Sequence, residues 1–217
     1  MDLFKNDLFE NANEQTLQIA EGALLLRRFA LANEVYLLDD LKSIVTKSPL
    51  RHMVTPGGFT MSVAMTNCGK LGWVSDKKGY RYDALDPSTG EPWQTMPMSF
   101  MQLATQAAAA AGFANFVPDA CLINQYQPGA RMSLHQDKDE QDLTKPIVSV
   151  SLGCAATFLF GDLKRSDKPT KILLQHGDVL VWGGKSRLNY HGIMPLQANI
   201  HKVFGACRFN LTFRKAS

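Results

Sequence analysis

In the stretch L-H-Q-D-K-D-E (134–140), His135 and Asp137 stand two positions apart. On an extended strand residues i and i+2 point to one face, about 6–7 Å apart at the backbone. An imidazole and a carboxylate placed in this way can share one metal ion. A further histidine from elsewhere would complete the 2-His-1-carboxylate facial triad, which grips non-haem Fe(II) on one side and leaves three coordination positions open. His-x-Asp by itself is a weak signal, because a polar turn at a strand end has the same composition. The second histidine must come from His52, His176, His191 or His201. His176 sits in an H-G-D turn and His201 beside Lys202 in a loop, so both are expected to be exposed, and His52 lies in an irregular region. His191 ends an aromatic strand, L-N-Y-H, next to a glycine that lets the chain turn sharply. Strand ends at a barrel mouth can face a ligand inward, so His191 is the expected partner.

The last strand supplies a second constellation. In R-F-N-L-T-F-R (208–214), Arg208, Asn210, Thr212 and Arg214 share one face, and Phe209, Leu211 and Phe213 share the other. If the apolar face presses on helices, the polar face lines a cavity. Buried guanidinium groups need anionic partners, and their fork matches a carboxylate. The dicarboxylate 2-oxoglutarate has the complementary charge. Ala120–Tyr126 divides in the same way, with Leu122, Asn124 and Tyr126 on one face.

These residues need elements to carry them. Gly22 to Phe29 reads as a strand. Asn33 is the expected N-cap of a helix to about Lys47, whose Leu37, Leu38, Leu41, Ile44 and Val45 form an apolar stripe. Residues 53–97 are rich in Gly, Pro, Thr and Ser, with Trp73, Tyr80, Tyr82 and Trp93 scattered among polar residues. A stretch this long with little regular periodicity reads as a functional lid. Ser99 is expected to cap a second helix that stops at Gly112. From Pro118 onward the chain is β-like, with strands expected at 120–126, 132–137, 147–152, 157–160, 171–174, 179–182, 188–191 and 206–214. Eight short strands separated by turn signals indicate a sandwich or barrel, of which the jelly roll is the eight-stranded candidate. Helices preceding rather than alternating with strands argue against a doubly wound sheet. The expected organisation is a polar N-terminal segment (1–21) followed by one domain (22–217), with the lid at about 53–97 and the core at about 118–217.

Composition narrows the setting. A hydrophobic share of 45% with 20% charged residues is that of an ordinary globular protein. The net charge of +3 permits a polyanionic partner without arguing for one. Cys68, Cys121, Cys154 and Cys207 form no C-x-x-C pair, so neither a zinc ribbon nor a disulfide framework is indicated and a reducing, cytoplasmic setting is expected. No run of 18 apolar residues occurs, and the first residues lack the basic and apolar regions of a signal peptide.

With these residues in view, the chain resembles the AlkB family of Fe(II)/2-oxoglutarate-dependent dioxygenases, most closely its bacterial DNA-repair members. The resemblance rests on M-V-T-P-G-G-F-T-M-S-V-A-M-T-N-C-G (53–69), L-G-W (71–73), G-Y-R-Y (79–82), D-A-C-L-I-N-Q-Y (119–126), L-H-Q-D-K-D-E (134–140), G-D-V-L-V-W-G-G (177–184), Y-H-G-I (190–193) and C-R-F-N-L-T-F-R (207–214). It implies a mainly β fold with N-terminal helices, built on a double-stranded β-helix core with a nucleotide-recognition lid. It implies iron on His135, Asp137 and His191, with 2-oxoglutarate and O2 as co-substrates. Arg208 would pair with the far carboxylate of 2-oxoglutarate, and Leu122, Asn124, Tyr126, Asn210 and Arg214 would complete that pocket. Trp73 and the His135 ring would sandwich a flipped base, and Tyr80 and Tyr82 would hold the nucleic-acid backbone. Asp139 would meet the base, and Arg165 would line its pocket. Phe59 stands where the family often has Tyr, and Asp162 where a second glycine is more usual.

The implied activity is oxidative dealkylation of 1-methyladenine and 3-methylcytosine in single-stranded or locally opened DNA by a monomeric enzyme, with RNA open as a second substrate. A same-family dioxygenase acting mainly on RNA, protein or a small molecule is the alternative. A non-catalytic nucleic-acid-binding jelly roll is a third reading, which an intact iron face disfavours.

Overall fold

The structure, a computed structural model, describes residues 15–217. A hairpin of β1 (Thr16–Ala20) and β2 (Ala23–Leu26) leads through a 3-10 turn into α1 (Glu34–Lys47). Four strands follow, β3 (Arg51–Val54), β4 (Thr60–Gly69), β5 (Gly72–Asp76) and β6 (Gly79–Asp83), and then α2 (Met98–Ala110). The second half contributes β7 (Ala120–Tyr126), β8 (Met132–His135), β9 (Ile147–Gly153), β10 (Ala156–Phe160), β11 (Thr170–Leu174), β12 (Val179–Trp182), β13 (His191–Ile193) and β14 (Arg208–Arg214).

The strands form an eight-stranded sheet, β1-β2-β12-β9-β14-β7-β4-β3, and a four-stranded sheet, β11-β10-β13-β8, with β5 and β6 as a separate hairpin. The two larger sheets are the two sides of a double-stranded β-helix. Strand alternation divides the apolar residues into two cores. Cys121 and Ile123 of β7, Val148, Val150 and Leu152 of β9, and Leu211 and Phe213 of β14 face the helices, where Leu37, Leu41, Phe100, Leu103 and Ala107 cover them. The opposite face of the large sheet looks toward the small one, and Met65, Leu122, Tyr126, Phe158, Phe160, Leu180 and Trp182 pack between the sheets. Ala104, Ala107 and Ala108 of α2 are completely buried, so the small side chains let that helix lie close on the sheet.

Several expectations need correction. Of the polar segment expected over residues 1–21, positions 1–14 lie outside the described residues. Thr16–Ala20 is an edge strand paired with β2. The lid is more regular than its composition indicates. β4 is ten residues long and runs beside β7 in the large sheet, with Met61, Val63 and Met65 alternating on the cavity side. The large sheet therefore draws β1–β4 from the first half of the chain, and the β core is not confined to 118–217. Asn33 stands at the N-cap of α1 as expected but makes no side-chain cap bond, and Pro97 rather than Ser99 is the N-cap of α2. Ser99 instead donates its hydroxyl to Asp40, tying α2 to α1. The strand expected at 188–191 begins at His191, because residues 184–189 are taken up by a 3-10 turn and its continuation.

Candidate active site

His135 closes β8 and His191 opens β13, and the two are cross-strand partners in the small sheet. This pairing joins segments far apart in the chain. It depends on Gly192, since a Cβ there would lie 2.6 Å from the Met132 carbonyl oxygen on β8. The glycine next to His191 thus serves close strand approach rather than a sharp turn. Asp137 sits two residues beyond the end of β8, and its carboxylate reaches both rings, with Oδ1 3.6 Å from His135 Nε2 and Oδ2 3.7 Å from His191 Nε2. One donor atom from each of the three lies within 4.8 Å of the others, the only such group of three among the described residues.

Both imidazoles are oriented from behind. His135 Nδ1 lies 2.9 Å from the Ser133 carbonyl oxygen and His191 Nδ1 3.0 Å from that of Asn189. A carbonyl only accepts, so Nδ1 carries the proton in each ring and the Nε2 lone pair is left for a metal. His191 is buried against Trp182 and Phe158. Burial, helped by His135 beside it, pushes its pKa down to about 4, which keeps the ring neutral and able to ligate. Burial disfavours the ionised Asp137, but Arg214 and the two histidines outweigh it and hold the carboxyl well below the usual range.

Behind the triad, β14 presents the face expected of it. Arg208, Asn210, Thr212 and Arg214 line a cavity of about 850 Å3 together with Leu122, Asn124 and Tyr126 of β7. Arg208 is 1% exposed. Its Nη2 donates to Ser151 Oγ at 2.9 Å, its guanidinium lies over the Tyr126 ring, and Nε and Nη1 have no partner. Asn124 Oδ1 is likewise buried and unpartnered. A buried charge with two free donors is costly until an anion meets it. This is the fit expected for the far carboxylate of 2-oxoglutarate, about which the amides of Asn124 and Asn210 cluster. Arg214, in the same lining, also donates from Nε and Nη2 to Asp137 Oδ2 at 2.9 and 2.6 Å, beside the triad.

The mouth of the cavity holds the aromatic and acidic residues of the lid. Trp73 on β5 stacks on Tyr80 of β6 with ring centroids 5.6 Å apart, and its indole N–H donates to Asp139 at 2.8 Å. Trp73, Tyr80, Asp139, Arg165 and His135 all line the cavity. Tyr82 does not line it. Its ring is turned inward, and its hydroxyl donates to Glu140 at 2.6 Å. Burial raises that phenol well above its ordinary pKa. Phe59, 77% exposed, stands on the rim at the tip of the β3–β4 hairpin.

Sequence reasoning missed Ser149 and Ser151, which hold Asn210 and Arg208 from β9. Their signal was present as the alternation V-S-V-S on a strand read only as core. His176 and His201, expected to be exposed, are partly buried and pack on each other at 4.4 Å, with His176 also bonded to Glu34. All four cysteines are free thiols.

Comparison with known proteins agrees with this geometry. The family described as 2OG-Fe(II) oxygenase superfamily matches residues 22–214. The chain is 58% identical over 211 residues to the alpha-ketoglutarate-dependent dioxygenase AlkB of Salmonella typhimurium, covering 97% of this chain and 98% of that protein. It is 58% identical over 210 residues to the protein of the same name from Escherichia coli K12, covering 97% of each. The solved structure of OsALKBH1 superposes with a TM-score of 0.80 at 29% identity, covering 92% of this chain and 99% of that one. With the triad and the orphaned arginine in one cavity, these likenesses make the chain an Fe(II)- and 2-oxoglutarate-dependent dioxygenase, a member of the AlkB family within the 2OG-Fe(II) oxygenase superfamily.

Proposed function

We propose that the chain removes N-alkyl groups from bases in DNA, with 1-methyladenine and 3-methylcytosine as its substrates. The observation that carries this reading is one cavity with a metal-ligand triad, a buried arginine whose Nε and Nη1 have no partner, and a stacked indole hydrogen-bonded to a carboxylate at its mouth. His135, Asp137 and His191 would hold Fe(II), and Arg208, with Asn124, Tyr126, Asn210 and Leu122 around it, would hold 2-oxoglutarate. When bound, the metal and co-substrate would supply the oxidation: 2-oxoglutarate would be decarboxylated to succinate and CO2, with one atom of O2 going into succinate and the other into a C–H bond of the N-methyl group. The N-hydroxymethyl group would then break at its C–N bond to give formaldehyde and the unmethylated base.

The chain's own residues select the base. Trp73 and His135 offer two aromatic faces, and base–aromatic stacking contributes about 1–3 kcal/mol without reading neighbouring sequence. Asp139 places a negative charge at the mouth, which favours bases made cationic by N-methylation over their neutral parents. Methylation of the pairing edge also lowers the cost of extruding the base, so single-stranded or locally opened DNA is the natural substrate. Arg165 and Tyr80 flank the opening where the nucleotide enters. Among the described residues no helix is long and apolar enough to cross a membrane, and four free thiols fit a reducing cytoplasm. We take the chain from β1 onward as one catalytic domain acting as a monomer.

The test is formaldehyde release from a methylated single-stranded DNA oligonucleotide and its RNA twin, with Fe(II) and 2-oxoglutarate each withheld in turn. Release from DNA that needs both additives is expected. Asp137→Ala should abolish it in a chain that still folds, and release that survives this substitution rules the reading out.

A further inference from the structure

The histidines of the triad are held by their own strands, but Asp137 is not. After His135 the chain leaves the small sheet, and residues 136–146 have no ladder to fix them. Side chains do this instead. Arg187, which follows the 3-10 turn Gly184–Ser186 and is 3% exposed, reaches across to this segment. Its Nη1 donates to the Asp137 carbonyl at 2.7 Å, its Nε to the Lys145 carbonyl at 2.8 Å, and its Nη2 to Glu140 Oε2 at 2.9 Å. Gln136 returns the contact by donating to the Leu188 carbonyl at 2.6 Å. The segments bearing His135–Asp137 and His191 are therefore stitched together on both sides. Glu140 Oε1 accepts from Tyr82 and lies 3.4 Å from Arg214 Nε, whose guanidinium also holds Asp137 Oδ2. The result is a closed cluster of two arginines and two carboxylates, with side chains between 2% and 10% exposed.

We propose that Arg187 and Glu140 are positioning residues for the metal-binding carboxylate, and that Tyr82 latches the β5–β6 hairpin to the same cluster. This rests on the metal reading of the triad given above. Apolar packing would fill such a space at lower cost than four charges, so what the cluster contributes is direction. Arg187 fixes the main chain of Asp137, and Arg214, steadied by Glu140, takes Oδ2. Oδ1 is thereby left turned toward His135 Nε2. The hydroxyl of Tyr82 is its link to Glu140, and its backbone is the cross-strand partner of Trp73. Displacement of Trp73 by a base is thus transmitted to the carboxylate through one hairpin.

Titration of the metal-free protein with Co(II), followed by its visible absorption, tests this without turnover. Arg187→Met should weaken Co(II) binding about 10–100-fold and alter the band intensities, as loss of outer support does at metal sites, and Arg187→Lys should fall between. Tyr82→Phe, which removes one hydroxyl and no charge, should change the Co(II) spectrum while thermal unfolding of the metal-free protein stays within a degree or two. Leu103→Ala, a core change in α2 remote from the cluster, should lower stability and leave Co(II) affinity as it was. Wild-type affinity and spectrum in Arg187→Met, or in Tyr82→Phe should the first variant not fold, overturns the proposal. So does an equal loss of affinity in Leu103→Ala. A wild-type chain that binds no Co(II) would instead remove the metal reading itself, and this proposal with it.

Discussion

Arg208 is a buried charge with no anionic partner, and that makes its energetics testable. Replacing it with methionine removes an unpaired buried cation, so Arg208→Met should leave the co-substrate-free protein as stable or more stable in urea titrations. The same change should weaken 2-oxoglutarate binding at least about 100-fold, from the loss of two charge-assisted bonds of about 1.5–3 kcal/mol each. Calorimetric titration of metal-loaded protein reads the second effect. Asp139 is the opposite case, an exposed carboxylate aimed at the cavity through Trp73. Asp139→Ala should lower kcat/KM for cationic 1-methyladenine about 10–100-fold and leave neutral ethenoadducts nearly untouched. Equal loss on both would remove the electrostatic role.

His191 carries a pH dependence whose sign follows from burial. Its folded pKa is near 4, against an ordinary value of 6.5. Between those values the unfolded chain binds a proton that the folded chain refuses. Stability from this group is therefore complete above pH 6.5 and lost as pH falls toward 4, by about 3 kcal/mol across the window. Urea titrations of metal-free wild type and His191→Gln at pH 7 and pH 4.5 should show the smaller fall in the variant.

At the scale of elements, the meeting of β8 and β13 decides whether a metal site exists. Gly192 permits it, and a methyl group there would strike the β8 backbone. Gly192→Ala should cost about 1–3 kcal/mol by overpacking. It should weaken Co(II) binding beyond what that instability explains, because it parts the two histidine-bearing strands. β14 and β7 were legible before any fold was known. Arg208, Asn210, Thr212 and Arg214 alternate with Phe209, Leu211 and Phe213, and the structure turns the polar set to the cavity and Leu211 and Phe213 to the helices. A two-residue period is local chemistry, so it survives without tertiary information. β4 was not legible, because its Thr, Asn and Gly imitate a loop, and its regularity comes from a partner, β7, that lies more than fifty residues on.

For the molecule as a whole, the cavity lies between two sheets whose packing does not depend on it, so filling it should add stability rather than create the fold. Mn(II) with 2-oxoglutarate at about 100 times Kd should stabilise the protein by about 2.7 kcal/mol, a rise in Tm of roughly 5–10 °C for a chain of this size. Scanning fluorimetry should show the rise in wild type and its absence in Asp137→Ala. What the amino-acid order determined unaided was the inventory and its local aim: a His-x-Asp pair, a strand with one cationic face, and an aromatic lid, all set by neighbours one or two positions apart. Only the tertiary structure decided that His191 stands across from His135, that Arg214 grips Asp137 while lining the cavity, that Tyr82 points inward, and that Arg187 donates to the Asp137 carbonyl and to Glu140. Those arrangements depend on strand register and on loop residues without periodicity. Hydrogen bonds between distant segments leave no trace in the pattern of either segment alone.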